Sequence, residues 1–346
     1  MKKLIVSFIL PLVLTLMIIP VYADGVVNVF NWQDYICLDV LTLFEEETGI
    51  KVNYMAFTTN EDMLVQVEAQ PSAFDVVFPS DYCIEKLIKN DLLEPISFDN
   101  VPYFDQIIPS LLNPQYDPTN AYSVPYMWGT VGILFNTAMV EEEIDSWAVL
   151  WDLKYYNNVF MYDSFRDTIG AALKYLGYSI NTRIPKELEE AQAILIEQKK
   201  SGIVKAYQID ELKEKMAAEE AALSLMWSGD AQFAIDLNED LDYVVPKEGS
   251  NIWVDGMVIP KGAKNKENAE IFINFLCRPD IAVLNCEEIR FSSPNAGAIN
   301  LMGADYQDNT TLNPSQDVLD RCEFFEDLGA YTELYNALWL EIKNAK

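Results

Sequence analysis

A chain of 346 residues, half of them apolar, can build one large or two medium domains around a substantial core. Its formal charge of −30, from Asp+Glu 54 against Lys+Arg 24, makes nucleic acid and anionic membrane surfaces poor partners. It has no histidine, which excludes Ser-His-Asp triads and HExxH metalloproteases and removes the commonest metal ligand.

Residues 1–23 have the build of a secretory signal: Lys2 and Lys3, an apolar run from Leu4 to Ile19, and Val21-Tyr22-Ala23 at a cleavage position. An uncleaved segment would instead tether the protein. No cysteine follows the run, so a lipid anchor there is not expected. Val26–Phe30 reads as a buried strand, and Leu38–Thr48 as a helix stopped by Gly49. Lys51–Phe57 is a second strand, and Asn60 is placed to cap a helix reaching Ala69. Asp75–Pro79 is a third strand, and Ser80 is placed to cap the helix carrying Ile84, Leu87 and Ile88. Strand and helix alternating at this spacing argue for parallel βαβ units.

Tyr122–Gly129 and Thr130–Asn136 read as one long bent strand. Helical patterns follow at Ser146–Trp151, Phe165–Leu176, Pro185–Lys200 and Ile209–Glu220. Strand-like Ala222–Trp227 precedes helical Gly229–Leu237, then strands at Tyr243–Pro246 and Asn251–Pro260. Asn265–Leu276, Pro279–Glu288 and Glu333–Lys343 close the chain as helices. Five cysteines with no CxxC pair are expected mostly as buried free thiols, with one bridge still possible. No GxGxxG or GxxxxGK[ST] loop occurs, so phosphate cradles have no support and no cofactor is expected.

Two distant motifs set rings beside acids. Asn31-Trp32-Gln33-Asp34-Tyr35 follows the first strand, and Trp253-Val254-Asp255 lies within a late one. Ring faces attract cations and a carboxylate supplies the countercharge, so together they would form a pocket for a small organic cation. In open parallel sheets ligands sit past the carboxyl ends of strands, where both Trp32–Tyr35 and Ser80-Asp81-Tyr82 fall. Bland roles compete: Trp32, Tyr35 and Trp227 also fit core rings, and Asp167 also fits a helix cap or a partner for Arg166.

The order and spacing of several stretches resemble the bacterial spermidine/putrescine-binding proteins of ABC transporters, across nearly all of residues 24–346. They include Asn31-Trp32-x-Asp34-Tyr35, Val77-Phe78-Pro79-Ser80-Asp81-Tyr82, Ser123-Val124-Pro125-Tyr126-x-Trp128-Gly129, Trp253-x-Asp255 and Ser293-Pro294-Asn295. The resemblance implies an α/β, two-lobe periplasmic-binding fold of type II, each lobe a mixed sheet flanked by helices, with the ligand in the cleft. The lobes would be residues 24–130 with 254–300, and 131–253 with 301–346. It further implies a monomeric, non-enzymatic extracytoplasmic receptor that hands a polyamine to a membrane permease.

Residue by residue, Trp32, Tyr35, Trp227 and Trp253 match family rings, and Gln33, Ser80 and Tyr82 match further contacts. Asp255 matches the carboxylate that pairs with an amine, and Asp167 stands where a glutamate is common. Phe291 stands in place of a tyrosine. Ser164 and Phe325 stand where spermidine binders carry an aspartate and a glutamine. Losing that acid and amide predicts a preference for a short diamine, because a terminal ammonium buried there would lack a partner. Tyr126 and Trp128 are expected to be structural. Rival readings are the same fold binding another organic cation such as a basic amino acid, a carboxylate-based secreted hydrolase, and a scaffold that lost its pocket.

Overall fold

The computed structural model describes residues 25–209 and 211–345; the leader expected at residues 1–23 lies outside them. Strand β1 (Val26–Trp32), helix α1 (Leu38–Thr48), β2 (Lys51–Phe57), α2 (Asn60–Ala69), β3 (Val76–Val77) and α3 (Asp81–Lys89) begin the chain. β1 pairs in parallel with β2 on one side and with β3 on the other, Val29 lying opposite Tyr54 and Val76. α1 stops because Gly49 turns left-handed, φ 77°, and its N–H bonds back to the Glu45 carbonyl.

After β4 (Leu93–Glu94), the fourteen-residue β5 (Ser123–Asn136) crosses the molecule. Then come β6 (Val159–Tyr162), α4 (Phe165–Tyr175), α5 (Pro185–Ser201), β7 (Val204–Gln208), α6 (Leu212–Ala217), β8 (Leu223–Trp227), α7 (Ser228–Leu237) and β9 (Leu241–Val244). β10 (Ile252–Pro260), α8 (Lys266–Leu276) and α9 (Pro279–Ile289) follow, and the last helix is Tyr331–Asn344. One sheet path runs β2-β1-β3-β10-β5-β8-β6-β7, with β4 also on β10 and β9 also on β5.

This is a two-lobe architecture built on a shared antiparallel pair. Along β5, Val124 to Trp128 pack into a core with β1, α1 and α8, whereas Val131 to Leu134 pack into a second core with β6 and β8. β10 returns beside β5, from Ile252 opposite Thr130 to Val258 opposite Ser123, with a register shift between Asp255 and Gly256. A smaller cluster joins α4, α5 and the last helix through Leu173, Leu195 and Tyr335. All five cysteines are free thiols.

Several local expectations change. The third strand pairs over two residues, although the Asp75 and Phe78 N–H groups still bond the Asn28 and Phe30 carbonyls. α2 is capped by Thr59, whose hydroxyl accepts from the Asp62 N–H, and the Asn60 side chain is engaged elsewhere. Ser80 precedes α3 without capping it by its side chain. The pattern at Ile209–Glu220 is helical only over Leu212–Ala217, and Ser146–Trp151 forms a 3₁₀ turn. β6 and β7 are strands that the sequence pattern does not signal. β6 is buried at all four positions, and β7 is half-buried apart from exposed Lys205, so neither shows the alternation that marks a strand.

Candidate functional site

Asp255 sits on β10 at the register shift, inside the crossing pair, and is 7% exposed. An acid at that depth must be hydrogen-bonded or paired. The Tyr35 hydroxyl donates to one oxygen at 2.8 Å and the Ser80 hydroxyl donates to the other at 2.7 Å. Burial pushes the carboxyl up to about 6, against the pull of those two donors. Asn60 holds the arrangement from behind, donating to the Ser80 hydroxyl at 3.0 Å and the Tyr82 hydroxyl at 2.9 Å. Ser80 thus leaves α3 uncapped because its hydroxyl gives its proton to Asp255 and accepts from Asn60.

Rings wall this carboxylate. The Phe291 ring meets Tyr35 at 5.8 Å and Trp253 at 5.0 Å, both edge-to-face, and Tyr126 braces Tyr35 at 5.7 Å. Tyr126 also donates to the Tyr35 carbonyl, and Trp128 to the Ser293 carbonyl, so both act as supports, as expected. Trp253 packs against both cores. Gly129 admits it: a Cβ there would lie 2.7 Å from the indole.

A second buried carboxylate comes from the other lobe. Asp167, 7% exposed in the first turn of α4, accepts from the Ser164 hydroxyl at 2.5 Å and the Trp227 indole at 3.4 Å. Burial raises its pKa, with Ser164, Trp227 and Arg166 opposing. The Ser164 side chain is also the cap of α4, accepting from the Asp167 N–H, so Asp167 itself is not the cap. The two groups meet where Trp227 runs into α7. Ser228 accepts from the Thr130 N–H, and the Gly229 position is pressed against Phe291.

The third cluster surrounds Arg166, which in the sequence stands out only as a neighbour of Asp167. Its guanidinium lies 4.1 Å from the Phe325 ring centroid and 5.6 Å from that of Tyr82, and donates to the Glu326 carbonyl and the Asn181 side chain. Asp81 adjoins it. That acid is 1% exposed, takes the Tyr82 N–H on one oxygen, and is raised well above the usual carboxylate range by burial and by Asp255. The sequence offers Asn60 only as a cap and Arg166 only as a neighbour of Asp167, because Asn60 engages Ser80, 20 positions on, and Arg166 engages Glu326, 160 positions on.

Of the residues singled out, Tyr35, Ser80, Trp253, Asp255 and Phe291 form one group, and Ser164, Asp167 and Trp227 another. Tyr82 and Phe325 meet through Arg166. Trp32 is half-buried on Phe57 at 4.6 Å, its indole donating to the Phe78 carbonyl at the entry to the Ser80 loop. Gln33 is exposed, and its side chain donates to Asp34. Among the described residues no cluster of His, Cys, Asp and Glu could hold a metal ion, and no helix is long and apolar enough to cross a membrane.

Two lobes that share crossing strands, with rings and buried acids brought together beside those strands, have the build of a solute-binding protein. Residues 40–314 match the family of bacterial extracellular solute-binding proteins, and this chain belongs to it. It is 35% identical over 316 residues to the spermidine/putrescine-binding periplasmic protein of Escherichia coli K12, covering 91% of this chain and 90% of that one. The putrescine-binding periplasmic protein SpuD of Pseudomonas aeruginosa is 32% identical, with 93% of each chain covered. Among solved structures, a putative spermidine/putrescine ABC transporter protein from Listeria monocytogenes superposes with a TM-score of 0.86 at 38% identity, covering 93% of this chain and 99% of that one. The substrate-binding protein PotD of Streptococcus pneumoniae gives 0.83 at 37%, covering 92% and 99%. The names of these relatives are those of binding proteins and ABC-transporter components.

Proposed function

We propose that this protein is an extracytoplasmic polyamine receptor, with a short diamine such as putrescine favoured, that delivers its ligand to an ABC permease. The observation that carries the reading is Asp255: a carboxylate buried among rings, held by two hydroxyl donors, with no cation of its own among the described residues. One ammonium meets Asp255 against Trp253, Tyr35 and Phe291. The carbon stem lies between rings, and the second ammonium meets Asp167 beside Trp227. Trp32, Ser80, Tyr82, Ser164 and Phe325 complete the walls, and Gln33 contributes from the rim. The names of the relatives support the ligand class.

Desolvated cation–π contacts contribute roughly 2 kcal/mol each and charge-assisted hydrogen bonds about 1.5–3 kcal/mol. After association and closure costs, an affinity near micromolar follows, about −8 kcal/mol. The lobes, residues 24–130 with 254–300 and 131–253 with 301–346, close about β5 and β10 and present the liganded shape to the permease. The protein works as a monomer, exported by residues 1–23.

Calorimetric titration of the ligand-stripped protein with putrescine and spermidine tests the reading. Saturable one-to-one binding with putrescine tighter is expected. Silence toward both, from folded protein, would remove the polyamine assignment and leave another organic cation. The response to pH is a second check. Alkylammonium groups stay charged to about pH 10, so the titrating partner is the acid. Asp255 must ionise to pair, so affinity is level at neutral pH and falls by about tenfold per unit below about pH 6. Affinity unchanged down to about pH 4.5 would show that Asp255 is not the partner.

A further inference from the structure

We infer that one face of α7 latches the cleft from outside the ligand pocket, with Arg290 as a positioning residue for the ring of Phe291; the inference rests on the proposed place of Phe291 in the ligand site. Gly229, Gln232 and Asp236 are spaced by three and four along α7, so they share a face. All three meet the chain around Phe291. Gly229 presses on the Phe291 ring, and the Arg290 guanidinium pairs with one Asp236 oxygen. The other Asp236 oxygen accepts from Gln232 at 2.7 Å, and the Gln232 side-chain oxygen accepts from the Asn309 amide at 2.8 Å. The Asn309 side-chain oxygen in turn takes the Leu312 N–H at 3.1 Å, and the Leu312 carbonyl takes the hydroxyl of Ser292 at 2.6 Å. This run of bonds leaves the residue before Phe291 and returns to the residue after it.

Two local strains point to the same pair. Arg290 ends α9 with left-handed backbone, φ 69°, a conformation that glycine takes freely and a Cβ resists. Asp236 lies in the last turn of α7, where the helix dipole disfavours an acid. The backbone of one and the charge of the other are thus locally unfavourable, and an ion pair across the lobe boundary accounts for both. α7 packs on the second core through Ala231 and Ala234, whereas Ile289 and Phe291, on either side of Arg290, pack on the first. The Phe291 ring meets Tyr35 and Trp253 edge-on, and Tyr35 donates to Asp255. Holding the lobes together at Arg290 therefore holds that ring where a ligand meets it. An exposed pair contributes little alone, and these side chains are 46% and 36% exposed. The effect is carried by the whole run of bonds, and its ionic member fades with salt.

The experiment is calorimetric titration of putrescine into the parent, Arg290→Gln, Arg290→Gly, Arg290→Lys and the charge reversal Arg290→Asp with Asp236→Arg, each also followed by thermal melting and scattering. Removing a positive charge from a protein of net charge −30 strengthens its pull on a cation, so the overall field alone predicts tighter binding by Arg290→Gln. The latch predicts the opposite sign: affinity about fivefold weaker at low salt, with the melting temperature held. Arg290→Gly should weaken binding equally and melt at or above the parent, since glycine relieves the backbone. Arg290→Lys and the reversed pair should recover most of the affinity, and about 0.5 M salt should erase the parent's advantage over Arg290→Gln. A folded Arg290→Gln protein that binds as tightly as the parent overturns the inference, as does a folded reversed pair that recovers nothing or a deficit that salt leaves untouched. If Arg290→Gln does not fold, Arg290→Gly decides by the same reading. A parent that binds no putrescine removes the polyamine reading instead. The latch is then judged by scattering alone, where an unliganded Arg290→Gln protein no more open than the parent overturns it.

Discussion

Asp255→Asn is expected to weaken putrescine binding by about a hundredfold or more, because an ammonium buried without its carboxylate loses on the order of 3 kcal/mol. The same change should leave the unliganded protein at least as stable at neutral pH. The folded pKa of Asp255, about 6, stands above the unfolded carboxylate value of 3.8. Folding therefore favours the protonated acid, and its contribution to stability is full below about pH 4 and lost as pH rises through about 6. About two pKa units correspond to about 3 kcal/mol as an upper bound, which the neutral amide recovers. A melt of Asp255→Asn should thus lie at or above the parent near neutral pH and converge with it near about pH 4. A large loss of stability at neutral pH would mean that the acid holds the fold together and not the ligand. Asp167→Asn should cost less affinity, since Arg166 lies within electrostatic reach of Asp167 and offsets part of its charge, whereas among the described residues no such cation acts on Asp255.

Gly229→Ala is the second change with a large expected effect, and it removes no ligand contact. A Cβ on Gly229 would overlap the ring of Phe291, inside the contact distance of its nearest carbons. Real atoms do not approach so closely, so the ring must rotate or the two elements must part. α7 packs on the second core through Ala231 and Ala234, whereas Phe291 packs on the first, so the added methyl acts across the cleft. Alanine suits a helix better than glycine by roughly 1 kcal/mol, so the fold itself should not suffer. Affinity should fall by about tenfold or more, roughly 1.4 kcal/mol, with the melting temperature of the unliganded protein held or raised. Scattering should show the ligand-saturated variant more open than the parent. Unchanged affinity would show that Phe291 moves aside freely and plays no part in the closed site.

Much of this was legible along the chain, and what was not has a common cause. β1 could be read because it is a short apolar run, and α1 because its apolar residues recur on one face and Gly49 punctuates it. Asp255 could be read because an acid on an otherwise apolar strand is anomalous wherever the strand goes. Ser80 and Asn60 mislead for the opposite reason. Each looks like a helix cap locally, yet its side chain is claimed by a residue brought from elsewhere: Asp255, 175 positions on, in the case of Ser80. Arg166 escapes notice because its aromatic cage is assembled from Tyr82, Phe325 and Tyr335, and its carbonyl acceptor on Glu326 lies 160 positions away. β6 and β7 carry no alternation, since burial varies little along each strand. Pattern reports a residue's relation to its own element, while the site is made of relations between elements.

The place of Asp255 on β10, at the register shift within the crossing pair, divides labour among the acids. A residue at a fulcrum moves least when the arms swing. Its grip on a ligand therefore changes little between the open and shut shapes, and a grip equal in both shapes cannot drive one toward the other. On the proposed reading Asp255 is thus an anchor, and the work of pulling the arms together would fall to groups farther out, Asp167 and Trp227 on α4 and β8. Capture and closure become separable: a ligand with one charged end can moor at the fulcrum and leave the arms apart. On that reading, reaching the far arm is what would distinguish a cargo long enough to bridge the two lobes.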